Sequence, residues 1–206
     1  MESQLEKELK LFWTYERRKK YEIAMNKVLK VIEDFDHEYY EKNATHLIRF
    51  TEKRLKTPES IYDKIVRKKK KSTIETIEDD INDLAGIRII CFDIAQIYKI
   101  AYIIGKQENF EIKKVKDYVR KPKENGYQSY HIQMKVDGVK VEIQLRTILM
   151  DAWSSLDSIL VYKKEEKISN DVKIIIDTVK TVIKRDGISS ESSVTMEEFK
   201  GNGVSA

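Results

Sequence analysis

A single cysteine, two prolines and seven glycines are all that this 206-residue chain holds of the residues that staple, kink or loosen a backbone. With Cys91 alone, no internal disulfide can form and no cysteine-based metal site can be built, which suits a reducing cytoplasm. The scarcity of proline and glycine leaves regular structure to dominate. No apolar run approaches the length of a membrane span, and Met1-Glu2-Ser3-Gln4 lacks the charged-then-apolar opening of a secretion signal. The expectation is a cytoplasmic protein without a membrane. A strong excess of one charge is missing too. The 39 Lys and Arg stand against 35 Asp and Glu, a net charge of +4, which is too even for a dedicated nucleic-acid binder.

What is present is a globular composition with a heavily charged surface, 41% hydrophobic and 36% charged, in a length suited to one packed domain. Residues 1–43 read as helical with no turn signal to interrupt them, and Met25, Val28, Leu29, Ile32 and Phe35 mark one apolar face. A core over residues 44–164 follows. It opens with an extended segment over 46–56, then a helix over 58–71 with Thr57 as cap, Pro58 at its first position, and Ile61 and Ile65 on its buried side. A short helix over 73–81, a buried strand over 86–92, a helix over 94–105 and a strand over 112–119 come next. Residues 165–185 read as a C-terminal helix and 186–206 as a flexible tail. The class is α/β (α+β), with helical extensions at both ends.

The clearest local signal is a hairpin. Tyr130, Ile132, Met134 and Val136 alternate with polar residues up to Asp137-Gly138, and Val139, Val141, Ile143 and Leu145 alternate after it. A two-residue turn sets Val136 against Val139, Met134 against Val141 and Ile132 against Ile143. The other face then opposes Gln133 to Glu142 and His131 to Gln144, with Ser129 and Arg146 at the far end. Taken alone, that face reads as a solvated outer surface.

The loop before the hairpin shifts this balance. Lys121, Pro122, Lys123, Glu124, Asn125, Gly126 and Tyr127 gather cations, an amide and an aromatic ring around a glycine. Lysines can meet phosphates, a tyrosine can stack on a base, and Asn125-Gly126 permits close backbone approach. Upstream, Arg54 and Lys56 share one side of an extended segment, while Ser60, Lys64 and Arg67 share a helix face. Such a strand–turn–helix can aim several cations at a polyphosphate. Asp83 reads either as a helix cap or, paired in space with Glu142, as half of a magnesium site. The run from Arg67 through Lys71 reads as a solvated helix face.

Together these segments resemble the synthetase domain of the RelA/SpoT family, and the length resembles its stand-alone small alarmone synthetases. The resemblance is carried, in the family's order, by Arg54-Leu55-Lys56 with Ser60 and Lys64, and by Asp83-Leu84-Ala85-Gly86-Ile87-Arg88. Lys116-Asp117-Tyr118, the stretch from Pro122 to His131, and Glu142-Ile143-Gln144-Leu145-Arg146-Thr147 complete it. It implies a nucleotidyltransferase-like mixed β-sheet flanked by helices. It implies an enzyme that moves the β,γ-diphosphate of ATP to the 3′-hydroxyl of GTP or GDP, with GMP a further candidate. By position, Asp83 and Glu142 hold magnesium, and Arg54 and Arg88 sandwich adenine. Lys56, Lys64 and Arg67 meet the ATP phosphates, with Ser60 nearby. Tyr127 stacks on guanine, and Lys123, Asn125 and His131 contact the acceptor nucleotide. A homotetramer is the family expectation.

Two departures narrow the picture. Where the small enzymes carry a Glu-His pair in the helix after the acidic strand, this chain has Asp157-Ser158. The family's hydrolase domain is built on a His-Asp dipeptide, and none of His37, His46 and His131 precedes an aspartate, so synthesis without hydrolysis is expected. Rival readings are a related pyrophosphokinase acting on adenine nucleotides or tRNA, a non-catalytic nucleotide-binding regulator, and a nucleic-acid module resting on residues 68–71.

Overall fold

Two buried aromatic side chains, Phe12 and Trp13, split the N-terminal arm that the sequence pattern runs together. In the computed structural model, which describes residues 4–69 and 73–162 along with 174–175, 178–179 and 181–182, helix α1 spans Gln4–Lys10 and α2 spans Tyr15–Asn43. Thr14 takes an extended backbone and its hydroxyl accepts from the Arg17 amide, so the second helix starts anew on its own cap. The break turns Trp13 inward, where its Nε1 donates to the Lys56 carbonyl at 2.7 Å. An uninterrupted helix would leave that bond unmade.

Strand β1 (Ile48–Leu55) is anchored at its start by Asp36 of α2, whose Oδ1 accepts the Leu47 and Ile48 amides at 2.6 and 3.2 Å. Thr57 caps α3 (Pro58–Arg67) and Pro58 opens it, with Ile61 and Ile65 buried, as their spacing predicts. The helix stops short of residue 71. Lys68 caps it and Lys69 turns to φ 51°, while residues 70–72 lie outside the description. The predicted 73–81 helix shrinks to the single turn α4 (Ile77–Asp80). Strand β2 (Ala85–Cys91) and helix α5 (Ile94–Gly105) follow, the latter fastened by a reciprocal cap between Asp93 and Gln96. Strand β3 (Phe110–Asp117) lies two residues earlier than its pattern suggests, because Asp117 Oδ1 accepts the amides of Val119 and Arg120 and turns the chain there.

Strands β4 (Tyr130–Val136) and β5 (Val139–Thr147) form the expected hairpin in the expected register. Helix α6 (Ile148–Tyr162) closes the core. The predicted 165–185 helix and 186–206 tail fall almost wholly outside the described residues.

The five strands form one mixed sheet in the order β1-β2-β5-β4-β3, antiparallel except between β2 and β5. Alternation divides its faces. Ile87, Ile89, Ile132, Met134, Val141, Ile143 and Leu145 are buried with Met25, Val28 and Ile32 of α2 and Ile97, Ile100 and Ile104 of α5 in one core. Each such side chain contributes about 1.5–3 kcal/mol on burial. The opposite face carries Arg54, Arg88, His131, Gln133, Glu142, Gln144 and Arg146. The parallel β2–β5 pairing aligns Gly86 with Glu142 and Arg88 with Gln144. The hairpin's polar face is therefore a site floor, and the solvated-surface reading is set aside.

Candidate active site

At one end of this face the side chains are held by charge. Asp83 stands just before β2, and two lysines reach it from different elements. Lys64 Nζ, on α3, lies 2.6 Å from Oδ1, and Lys56 Nζ, after β1, lies 3.3 Å from Oδ2. The Lys64 contact lies off the line of a good hydrogen bond and acts as an ion pair. Burial alone would raise the Asp83 carboxyl; the Lys64 and Lys56 ammoniums outweigh it and hold the pKa below its ordinary value. Lys56 is fixed through its backbone, its N–H donating to the Leu84 carbonyl at 2.8 Å and its own carbonyl accepting from Trp13.

Arg54 and Arg88 line the same cleft as Asp83 and Glu142. Arg54 pairs with Gly86 and its exposed side chain passes beside it. Arg88 is pinned by acids, with Nη1 3.0 Å from Glu52 Oε2 and Nε 3.5 Å from Asp151 Oδ1. Ser60 and Arg67 make none of these contacts. Ser60 accepts from the Thr57 hydroxyl at 3.1 Å within the helix cap, and Arg67 is exposed on the last turn.

Glu142 sits at the centre, buried at 8% exposure. Gln133 Nε2 donates to its Oε1 at 2.9 Å and Gln144 Nε2 to its Oε2 at 3.1 Å, while His131 Nδ1 lies 3.8 Å from Oε1. Burial would raise this carboxyl, but the contacts with His131, Gln133 and Gln144 reverse the effect and lower its pKa to about 2. It is thus an anion under all ordinary conditions. Its charge is felt by Asp83, whose pKa it pushes up.

The far end is held by rings, hydrogen bonds and the ion pair of Arg146 with Asp151. Tyr127 Oη lies 2.8 Å from His131 Nε2 and accepts from Arg146 Nη2 at 2.8 Å. Tyr118 meets the rings of Tyr127 and His131 edge-on, with centroids 6.1 and 5.4 Å apart. The Lys123 ammonium covers both tyrosine rings, 4.8 Å from Tyr118 and 4.7 Å from Tyr127. Arg146 is the keystone. At 4% exposure it also reaches Gln144 Oε1 at 2.8 Å, Asp151 Oδ1 at 3.0 Å and Ser129 Oγ at 3.4 Å. Asn125 donates to Asp157 Oδ2 at 2.8 Å and its Oδ1 accepts the Tyr127 amide at 3.2 Å.

Two carboxylates on one cleft form a hard-oxygen donor pair suited to magnesium when phosphate oxygens and water complete the shell. Among the described residues no group of three His, Cys, Asp or Glu side chains could make an all-protein cage. The cations beside the pair suit a polyphosphate, and the tyrosine-lined end suits a base. Gln133, Gln144, Tyr118, Arg146 and Asp151 are absent from the residues that sequence reasoning singled out as ligands. The hairpin register already placed both glutamines beside Glu142. Asp151 and the linkage of Arg146 to Tyr127 had no local signal.

A mixed sheet carrying two carboxylates and several cations on its open face is a fold and site chemistry suited to binding phosphates. Residues 53–167 match the family model described as the region found in RelA/SpoT proteins, and the chain belongs to that family. It is 43% identical over 133 residues to the GTP pyrophosphokinase YwaC of Bacillus subtilis, a match covering 61% of each protein, so it spans about three fifths of that relative's length. Small alarmone synthetase 2 of B. subtilis shares the fold at a TM-score of 0.66 and 31% identity, over 82% of this chain and 91% of that one. Small alarmone synthetase 1 of the same organism, solved with its product pppGpp, aligns at a TM-score of 0.60 and 29% identity over 84% and 96%. Its structure with AMPCPP aligns at 0.61 and 28% over 83% and 90%. Among the described residues no helix is long and apolar enough to cross a membrane.

Proposed function

We propose that this chain is a (p)ppGpp synthetase that transfers the β,γ-diphosphate of ATP to the 3′-hydroxyl of GTP or GDP, with GMP a further acceptor, and releases AMP. The observation that carries it is the meeting of Asp83 and Glu142 on one cleft, with lysines at one end and a caged tyrosine at the other. The relative bound to pppGpp supports a guanine acceptor, and the one bound to AMPCPP supports an adenine-nucleotide donor.

In this reading Arg54 and Arg88 hold the adenine, and Lys56 and Lys64 turn from Asp83 to the phosphates, with Arg67 and Ser60 further out. Tyr127 stacks on guanine, while Lys123, Asn125 and His131 contact the acceptor. The 3′-oxygen attacks the β-phosphorus and the bond to the oxygen bridging to the α-phosphorus breaks, that oxygen leaving on AMP. Glu142, with its low basicity, orients the hydroxyl by accepting its hydrogen bond, and the proton passes to water or to a phosphate oxygen late, once the new P–O bond has formed. Phosphoryl transfer with a loose transition state asks little more of a base. Magnesium held by Asp83 and Glu142 would supply neutralisation of the phosphate charge. Catalysis then consists of alignment and electrostatics. The same reading makes the protein a cytoplasmic, synthesis-only member of the stringent response and a homotetramer.

Incubation with ATP, magnesium and, separately, GMP, GDP, GTP, ADP or tRNA, following AMP, tests it. AMP release dependent on a guanine nucleotide, with a 3′-diphosphorylated product, is expected. Absence of AMP with every acceptor overturns it.

A further inference from the structure

Helix α6 carries an aspartate where its apolar stripe should continue. Met150 and Trp153 are buried at 0% and 1% exposure, and Asp157 stands one turn beyond Trp153 on the same side, half-buried. Its Oδ2 takes the amide hydrogen of Asn125 at 2.8 Å, across 32 residues of chain. An amide side chain can be flipped to present either its oxygen or its nitrogen, and a carboxylate accepts only. Asp157 therefore selects one orientation, nitrogen toward α6 and oxygen toward the loop. That oxygen holds the backbone N–H of Tyr127 at 3.2 Å. Among the described residues the loop's other fastenings are internal or hold Tyr127 by its ring and hydroxyl. Gly126 N–H meets the Lys123 carbonyl at 2.8 Å, Lys123 N–H meets the Tyr127 carbonyl at 3.1 Å, and Arg146 grips the tyrosine hydroxyl.

We infer that Asp157 is a positioning residue for the acceptor nucleotide, setting Tyr127 through Asn125 without touching substrate itself. The inference rests on the reading of residues 121–131 as the acceptor seat. Its effect falls on the binding of the acceptor and spares the ATP end, which among the described residues shares no contact with the Asp157–Asn125 link.

The test combines steady-state kinetics with amide hydrogen exchange at Tyr127. Asp157→Ala is expected to raise KM for the guanine nucleotide about ten-fold, with kcat and KM for ATP within about two-fold, and to speed exchange at the Tyr127 amide. Asp157→Asn keeps an oxygen that can accept the Asn125 amide, so acceptor KM and exchange at Tyr127 should stay within about two-fold of wild type. A merely structural role predicts no link between the acceptor KM and the Tyr127 amide. Unchanged acceptor KM in Asp157→Ala, or Asp157→Asn as damaging as Asp157→Ala, overturns the inference. If the wild type makes no product from any guanine nucleotide, the functional reading fails. The exchange measurement still decides the tie, faster exchange in Asp157→Ala supporting it and unchanged exchange overturning it.

Discussion

The lysine end of the cleft is held by ion pairs that can be traded, whereas the tyrosine end is held by an interlocked set of rings and hydrogen bonds with the Arg146–Asp151 ion pair among them. Lys56 and Lys64 spend their charge on Asp83, and a polyphosphate offers the same charge in another place. A salt bridge is non-directional, and its partners exchange with little strain. Tyr127, by contrast, is gripped at its hydroxyl by Arg146 and His131 and covered by Lys123. Directional contacts of this kind favour preorganisation. Under the proposed function, the difference teaches where ligand-driven change should fall: Asp83 should change partners, and Tyr127 should keep its own while Lys123 yields the ring face.

The largest effect is expected from neutralising the two carboxylates. Asp83→Asn and Glu142→Gln are each expected to lower AMP release by about a thousand-fold or more while circular dichroism stays native. Activity in either variant would remove the shared charge centre. Next is Arg146→Ala, which removes a buried cation and with it one partner each from Tyr127, Gln144 and Asp151. Urea unfolding should register a loss of about 3–5 kcal/mol. A surface-sized loss would mean that the acceptor end is not interlocked.

Acid provides a third probe. Glu142 has a folded pKa depressed from 4.5 to about 2, so its stabilising contribution is full above 4.5 and is lost as pH falls toward 2. That window holds on the order of 3 kcal/mol. The fall in stability across it should be shallower in Glu142→Gln, and an unchanged slope would contradict the carboxylate's environment. The smallest effect belongs to Tyr127→Ala. Loss of a stacking ring costs about 1–3 kcal/mol, so kcat/KM for the guanine nucleotide should drop about ten-fold with ATP use unaltered. Selective loss of ATP binding would invert the two ends.

Legibility in the sequence followed the range of the contact. The β4–β5 hairpin was readable to the residue because Asp137 and Gly138, both at positive φ (50° and 79°), form the tight turn whose twist matches its strands. Gln133 and Gln144 came with it as neighbours of Glu142. The β2–β5 pairing that brings Asp83 to Glu142 is a parallel crossover with no local signal, and family resemblance supplied it. The break before α2 was hidden because Leu11, Phe12 and Trp13 prolong an apolar pattern, and only tertiary burial turns the last two inward. Asp157 reads as a departure from the family, and only its bond to Asn125 gives it work.

The chain's only two tryptophans lie one at each end of this comparison. Trp13 holds the Lys56 carbonyl, and Trp153 lies one turn from Asp157, each buried. The protein thus carries two tryptophan fluorophores without added label, excitable selectively at the red edge of the absorption shared with its eleven tyrosines. Replacing either with phenylalanine leaves a single tryptophan, which under the proposed function should report the arrival of ATP in one variant and of the acceptor in the other. Stopped-flow emission from the two variants would time the order in which the substrates engage.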